Sequence, residues 1–234
     1  SDVCSSDLRK LYGASPTLDG SLVLCPTISG FLIAFDMNRK ELAWSKNYPL
    51  NTSLAPGAAF NIVGGMDFRE SDPMASRPLD TSVIVHDGVT VFAPSNGNAI
   101  YGISNKDGSE LWQIPIEESS SFRYVAGAWN KVVALAYSQQ IVGVDLQTGQ
   151  PAWPAIPMPN NAQIVGKGVR SDSKLLVPLS NQQLVEIDLV QGSIVSSTHA
   201  ERPLGNLVVV GNKLLSTSPY ELASYSIRDS FQQE

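Results

Sequence analysis

The sequence is short of charge, of histidine and cysteine, and of long apolar runs. Only 16% of its 234 residues are charged, and its 16 Lys+Arg are outnumbered by 22 Asp+Glu, a net charge of −6. With no basic cluster, the chain cannot grip a phosphate backbone by counterion release, which excludes a nucleic-acid binder. No apolar run approaches the ~18 residues that would read as a membrane-spanning helix. The two histidines, His86 and His199, belong to no spacing that builds a metal site and read as surface or turn residues. Gly64-Gly65 lacks the flanking pattern and following helix of a phosphate loop, and no Gly-x-Ser-x-Gly elbow occurs. Asn51-Thr52-Ser53 matches a glycosylation sequon, a motif short enough to arise by chance.

Residues 1–8, Ser-Asp-Val-Cys-Ser-Ser-Asp-Leu, are unlike anything that follows. They resemble one reading frame of a sequencing-adapter oligonucleotide, the alternative being a natural tail. On the adapter reading they fall outside the fold, the propeller region spans residues 9–234, and Cys25 is left without an internal partner. The missing signal-peptide pattern at the start then says nothing about export.

What the sequence does have is 43% hydrophobic residues, 18 Gly and 15 Pro, a balance that favours short strands and turns over long helices. It also has a repeat. Leu32-Ile-Ala-Phe-Asp36, Ile100-Tyr-Gly-Ile-Ser104, Ile141-Val-Gly-Val-Asp145, Leu184-Val-Glu-Ile-Asp188 and Leu222-Ala-Ser-Tyr-Ser226 are variants of one phrase. Their fifth positions lie 68, 41, 43 and 38 residues apart. Eight residues beyond the first four anchors stand Trp44, Trp112, Trp153 and then Ser196, where the signal decays.

Turn signals such as Asp19-Gly20, Asp87-Gly88, Asn96-Gly97 and Thr148-Gly149 cut each unit into strand-length runs rich in β-branched residues. Three turns between four strands make one antiparallel sheet. Repeated at about forty residues, that is a propeller blade. The expectation is an all-β propeller of four-stranded antiparallel blades: four blades and most of a fifth, from a ring of seven or eight. Blades of this kind need neighbours on both sides, so the five alone are expected to form an open arc prone to oligomerise.

The third unit is the sharpest, Val144-Asp-Leu-Gln-Thr-Gly149-Gln-Pro-Ala-Trp153. Asp145 can hold the turn backbone and Gly149 can supply its left-handed residue, while Trp153 offers a flat face to the next blade. Asp36 and Asp188 share the register of Asp145 and read as turn caps rather than a carboxylate ring. The pattern resembles the tryptophan-docking repeat of the pyrroloquinoline quinone-like (PQQ-like) β-propellers, with the texture of those common in planctomycete bacteria. That resemblance implies a protein-binding or assembly scaffold in a bacterial envelope or secreted protein, with no cofactor. Trp44, Trp112 and Trp153 are then blade-docking residues, Trp129 standing apart from the repeat.

Two other readings stay open. One is part of a quinone-dependent dehydrogenase, which would need a vicinal cysteine pair and a calcium site that these residues do not supply. The other is the sensor propeller of a larger kinase or signalling protein. The long first spacing also hides an insertion of about 27 residues within residues 45–80. It is either a solvated connector or a ligand-contacting loop, and in the second case Phe60, Met66, Phe68, Arg69 and Met74 are the candidate contacts. Deleting residues 55–74 separates the two: a binding loop predicts weakened partner affinity, and unchanged affinity leaves only a connector.

Overall fold

The computed structural model describes residues 16–27, 29–50, 83–94, 97–117, 120–218 and 221–226. The five insertion candidates between Phe60 and Met74 lie outside them. Every described element is a strand apart from one 3-10 turn at Pro159–Asn161, which the sequence reading did not anticipate. No helix among the described residues is long and apolar enough to cross a membrane.

The chain divides after Glu118 into two compact units. The first holds two blades. Strands β1 (Thr17–Asp19), β2 (Leu22–Pro26), β3 (Phe31–Asp36) and β4 (Glu41–Asn47) form one four-stranded sheet in chain order. Strands β5 (Ile84–His86), β6 (Val89–Phe92), β7 (Ala99–Ser104) and β8 (Glu110–Pro115) form the next. The second unit holds three. Its sheets are β9 (Phe122–Trp129) to β12 (Pro151–Pro157), with β10 (Val132–Tyr137) and β11 (Gln140–Asp145) between, and β13 (Val169–Ser171) to β16 (Ser193–His199), with β14 (Lys174–Pro178) and β15 (Gln183–Asp188) between. Strands β17 (Asn206–Val210), β18 (Lys213–Thr217) and β19 (Leu222–Ser226) form the fifth sheet, three-stranded among the described residues. All pairs are antiparallel and each strand pairs with its neighbour in sequence, as short hairpin turns dictate.

The third-to-fourth-strand turn has one form in the four complete blades. A main-chain N–H four residues past the anchor donates to the anchor carbonyl: Lys40 to Asp36, Gly108 to Ser104, Gly149 to Asp145 and Gly192 to Asp188, at 2.7–2.9 Å. That fourth residue is left-handed in every case, with φ of 58°, 73°, 68° and 65°. Where the anchor is aspartate its carboxylate closes the turn. Asp36 accepts the amides of Asn38 and Arg39, Asp145 those of Gln147 and Thr148 together with the Thr148 hydroxyl, and Asp188 those of Val190 and Gln191. In the second blade the anchor is Ser104, and Asp107 instead accepts the amide and hydroxyl of Ser109.

Each of the four outer strands also bulges at a matching position. Register shifts fall between Ala34 and Phe35, Gly102 and Ile103, Gly143 and Val144, and Glu186 and Ile187, with a further shift between Ile141 and Gly143 in the third blade. The extra residue re-aims the next side chain, which is Trp44, Trp112, Trp153 or Ser196.

Hydrogen bonding by the turn holds three carboxyls below the usual aspartate value of 3.8: Arg39's amide does so first for Asp36, the Ser109 hydroxyl for Asp107, the Thr148 hydroxyl for Asp145. Lowered folded values mean that this stability is present above the unfolded value and disappears as pH falls through the folded ones. Thermal melts taken from about pH 5 down to about pH 2 are therefore expected to show a falling midpoint. Asp145→Asn, which loses the charge but keeps an acceptor oxygen, should flatten the slope; an unchanged slope contradicts the assignment.

Candidate functional site

Tryptophan gives the blade seams their geometry. In the first unit Trp44 is buried on the outer strand, opposite Ala34 of its own blade, and its indole N–H donates to the Asn105 carbonyl of the next blade at 2.8 Å. The ring lies so close to Gly108 that a Cβ there would come within 2.7 Å of it. In the second unit Trp153 lies opposite Gly143, where a Cβ would approach the indole to 2.1 Å. On its other side the same indole meets Gly192 of the following blade, where a Cβ would approach to 2.3 Å. Its N–H points to the Leu189 carbonyl at a longer 3.4 Å. Both carbonyls belong to the residue just after the turn anchor. Trp112 likewise lies over Gly102 of its own blade. Trp129 lies elsewhere, at the end of an innermost strand, with the Arg170 guanidinium 5.3 Å from its ring centre.

In the fourth blade the slot changes character. Glu186 takes the place of the own-blade glycine and an exposed Ser196 that of the tryptophan, the two facing each other across β15 and β16. The Glu186 carboxylate, almost wholly buried, pairs with the Lys174 ammonium at 2.8 Å and lies 3.5 Å from the Ser196 hydroxyl. Without an indole the seam with the fifth blade is thin. Its buried apolar cluster is Leu176, Leu207 and Leu214, whereas the cluster around Trp153 runs from Tyr124 to Leu189. The seam contains a cavity of about 660 Å³ lined by Lys174, Leu176, Leu184, Glu186, Leu214 and Tyr225, with Val195, Ser196, Thr198 and His199 along its outer-strand side. The Tyr225 hydroxyl, buried behind this wall, has no hydrogen-bond partner among the described residues. The sequence reading did not name this cavity. Its signal was available in the paired lapse of Gly to Glu186 and Trp to Ser196.

Other chemistry is sparse. No group of three His, Cys, Asp or Glu side chains among the described residues could hold a metal ion, and Cys25 is a free thiol. His86 ends β5, and His199 is exposed at the end of β16. The donor set of the described residues does not fit the calcium and vicinal-disulfide site of a quinone-dependent dehydrogenase.

Five antiparallel sheets of one repeated plan, following one another along the chain, are the blades of a β-propeller. Two solved structures share the fold. BamB from Moraxella catarrhalis matches at a TM-score of 0.59 and 17% identity, over 92% of this chain and 61% of that one. The Cps50 (Swd1) β-propeller domain from Myceliophteria thermophila matches at a TM-score of 0.59 and 14% identity, over 92% of this chain and 65% of that one. The chain thus spans less than two-thirds of either. No curated protein matches the sequence. The family profile described as outer membrane protein assembly factor BamB matches residues 2–230, and the chain belongs to that PQQ-like family.

If the indole is what fills a seam, its removal should cost more there than elsewhere. Trp153→Ala is expected to lose about 3–5 kcal/mol, and Trp129→Ala, at a half-buried position, clearly less. Urea unfolding of the two variants checks this; equal losses would contradict the role of the slot.

Proposed function

We propose that this chain is a non-catalytic protein-binding or assembly scaffold of a bacterial cell envelope. The observation that carries the reading is the match of nearly the whole chain to the family described as an outer membrane protein assembly factor. The described residues support it. Their polar clusters are spent on turns and seams, as Asp36, Asp145 and Asp188 are, and none brings together nucleophile, base and oxyanion donors. Antiparallel sheets that present many loops are well suited to holding other proteins.

In this reading Trp44, Trp112 and Trp153, with the aspartate-capped turns and Gly149, fix the blades, and partners dock on loops and outer strands. Phe60, Met66, Phe68, Arg69 and Met74 remain candidate contacts within the insertion.

The test is photo-cross-linking in the native host, with the reactive side chain placed in turn at Phe68 and at the exposed Val190 and Val208. The scaffold reading expects discrete protein adducts, recovered in the envelope fraction. Absence of a protein adduct at all three positions, or recovery only in the cytosol, overturns it.

A further inference from the structure

The cavity between the fourth and fifth blades lies where the neighbouring seams place an indole. In two seams the slot residue is Trp44 or Trp153, and the indole N–H is directed at a carbonyl of the next blade. In the fourth blade that residue is Ser196, and the space beside it, about 660 Å³, is large enough for an indole and the backbone that would carry it. We propose that this cavity receives a tryptophan side chain from a partner polypeptide, its ring against Leu176, Leu184 and Leu214 and its N–H directed to Glu186.

The chemistry of the wall selects the ligand. Leu176, Leu184 and Leu214 give an apolar surface suited to a flat ring. An anion is disfavoured by the buried Glu186 carboxylate, and a cation gains little because Lys174 already neutralises that carboxylate at 2.8 Å. What the wall offers is a carboxylate acceptor. One Glu186 oxygen takes the Lys174 ammonium at 2.8 Å, and the other lies 3.5 Å from the Ser196 hydroxyl, at the long limit of a hydrogen bond. A neutral aromatic group with one N–H donor can give Glu186 a further hydrogen bond, and phenylalanine cannot. Glu186 also explains why the ring must come from outside. In the sibling blades Gly102 and Gly143 leave room for the chain's own indole to lie across its own sheet, and Glu186 occupies that room.

That the tryptophan belongs to another protein rests on the scaffold reading, whereas the aromatic site itself does not. The probes are therefore a fluorinated indole and N-acetyltryptophanamide, titrated into the purified chain and followed by NMR of the ligand. Both should bind saturably with a Kd on the order of 1 mM, a small fragment in a preformed site. The double variant Ser196→Trp with Glu186→Gly restores the sibling pair, so it should weaken both probes at least about tenfold. Should that variant not fold, Thr198→Trp obstructs the cavity from an exposed position and should do the same. Absence of saturable indole binding overturns the site, as does affinity unchanged in every folded variant. Indole binding without binding of the amide overturns its use by a polypeptide, and leaves the scaffold reading to its own cross-linking test.

Discussion

A four-stranded sheet that buries apolar side chains on both faces must be matched to a neighbour at a fixed separation and rotation. Here that match is made by one contact, an indole laid against a residue without a side chain. For Trp44 and Trp153 the outer-strand bulge aims the ring, and the anchor turn of the next blade delivers a left-handed glycine, Gly108 or Gly192, to meet it. The indole N–H fixes the rotation by reaching for a carbonyl next to the anchor. Because a Cβ at Gly192 would approach Trp153 to 2.3 Å, tryptophan and glycine are one device contributed by two blades. Lys40 holds the same left-handed turn in the first blade with a full side chain, so that turn presents no bare slot to an indole.

Where the device lapses, the physics of the seam changes. Replacing glycine and tryptophan by Glu186 and Ser196 exchanges a dry aromatic contact for a buried ion pair with Lys174. Such a pair must offset the desolvation of two charges and seldom contributes net stability. It does, however, keep a polar floor under an apolar cavity, and that combination selects ligands in a way that a filled seam cannot. The fourth blade thus gives up packing for recognition, whereas the carboxylates of Asp36, Asp145 and Asp188 serve the turns.

The fold was legible because its signals are local. Asp-Gly and Asn-Gly turns, alternating short runs and a repeat near forty residues depend on near neighbours in sequence, and the runs Val132–Tyr137 and Lys213–Thr217 coincide with β10 and β18. The 3-10 turn at Pro159–Asn161 gave no such signal, since it closes through left-handed Asn160 and Asn161 in a linker between blades. The cavity was only half legible. Ser196 could be seen as a lapse of the tryptophan, but the Glu186–Lys174 pair and the orphan Tyr225 hydroxyl join residues from three strands in two blades, and no spacing rule joins those. The insertion candidates at Phe60 to Met74 lie outside the described residues, so their assignment still rests on composition and position alone.

The account depends most on the indole–glycine contact, and a double-mutant cycle isolates it. Gly192→Ala is measured by urea unfolding in the native background and again with Trp153→Leu. If the ring is what forbids a Cβ at that position, the substitution should cost about 1–3 kcal/mol more with the indole present than without it. The same cost in both backgrounds would mean that only the left-handed backbone matters there, and the tryptophan would no longer explain how these blades are joined.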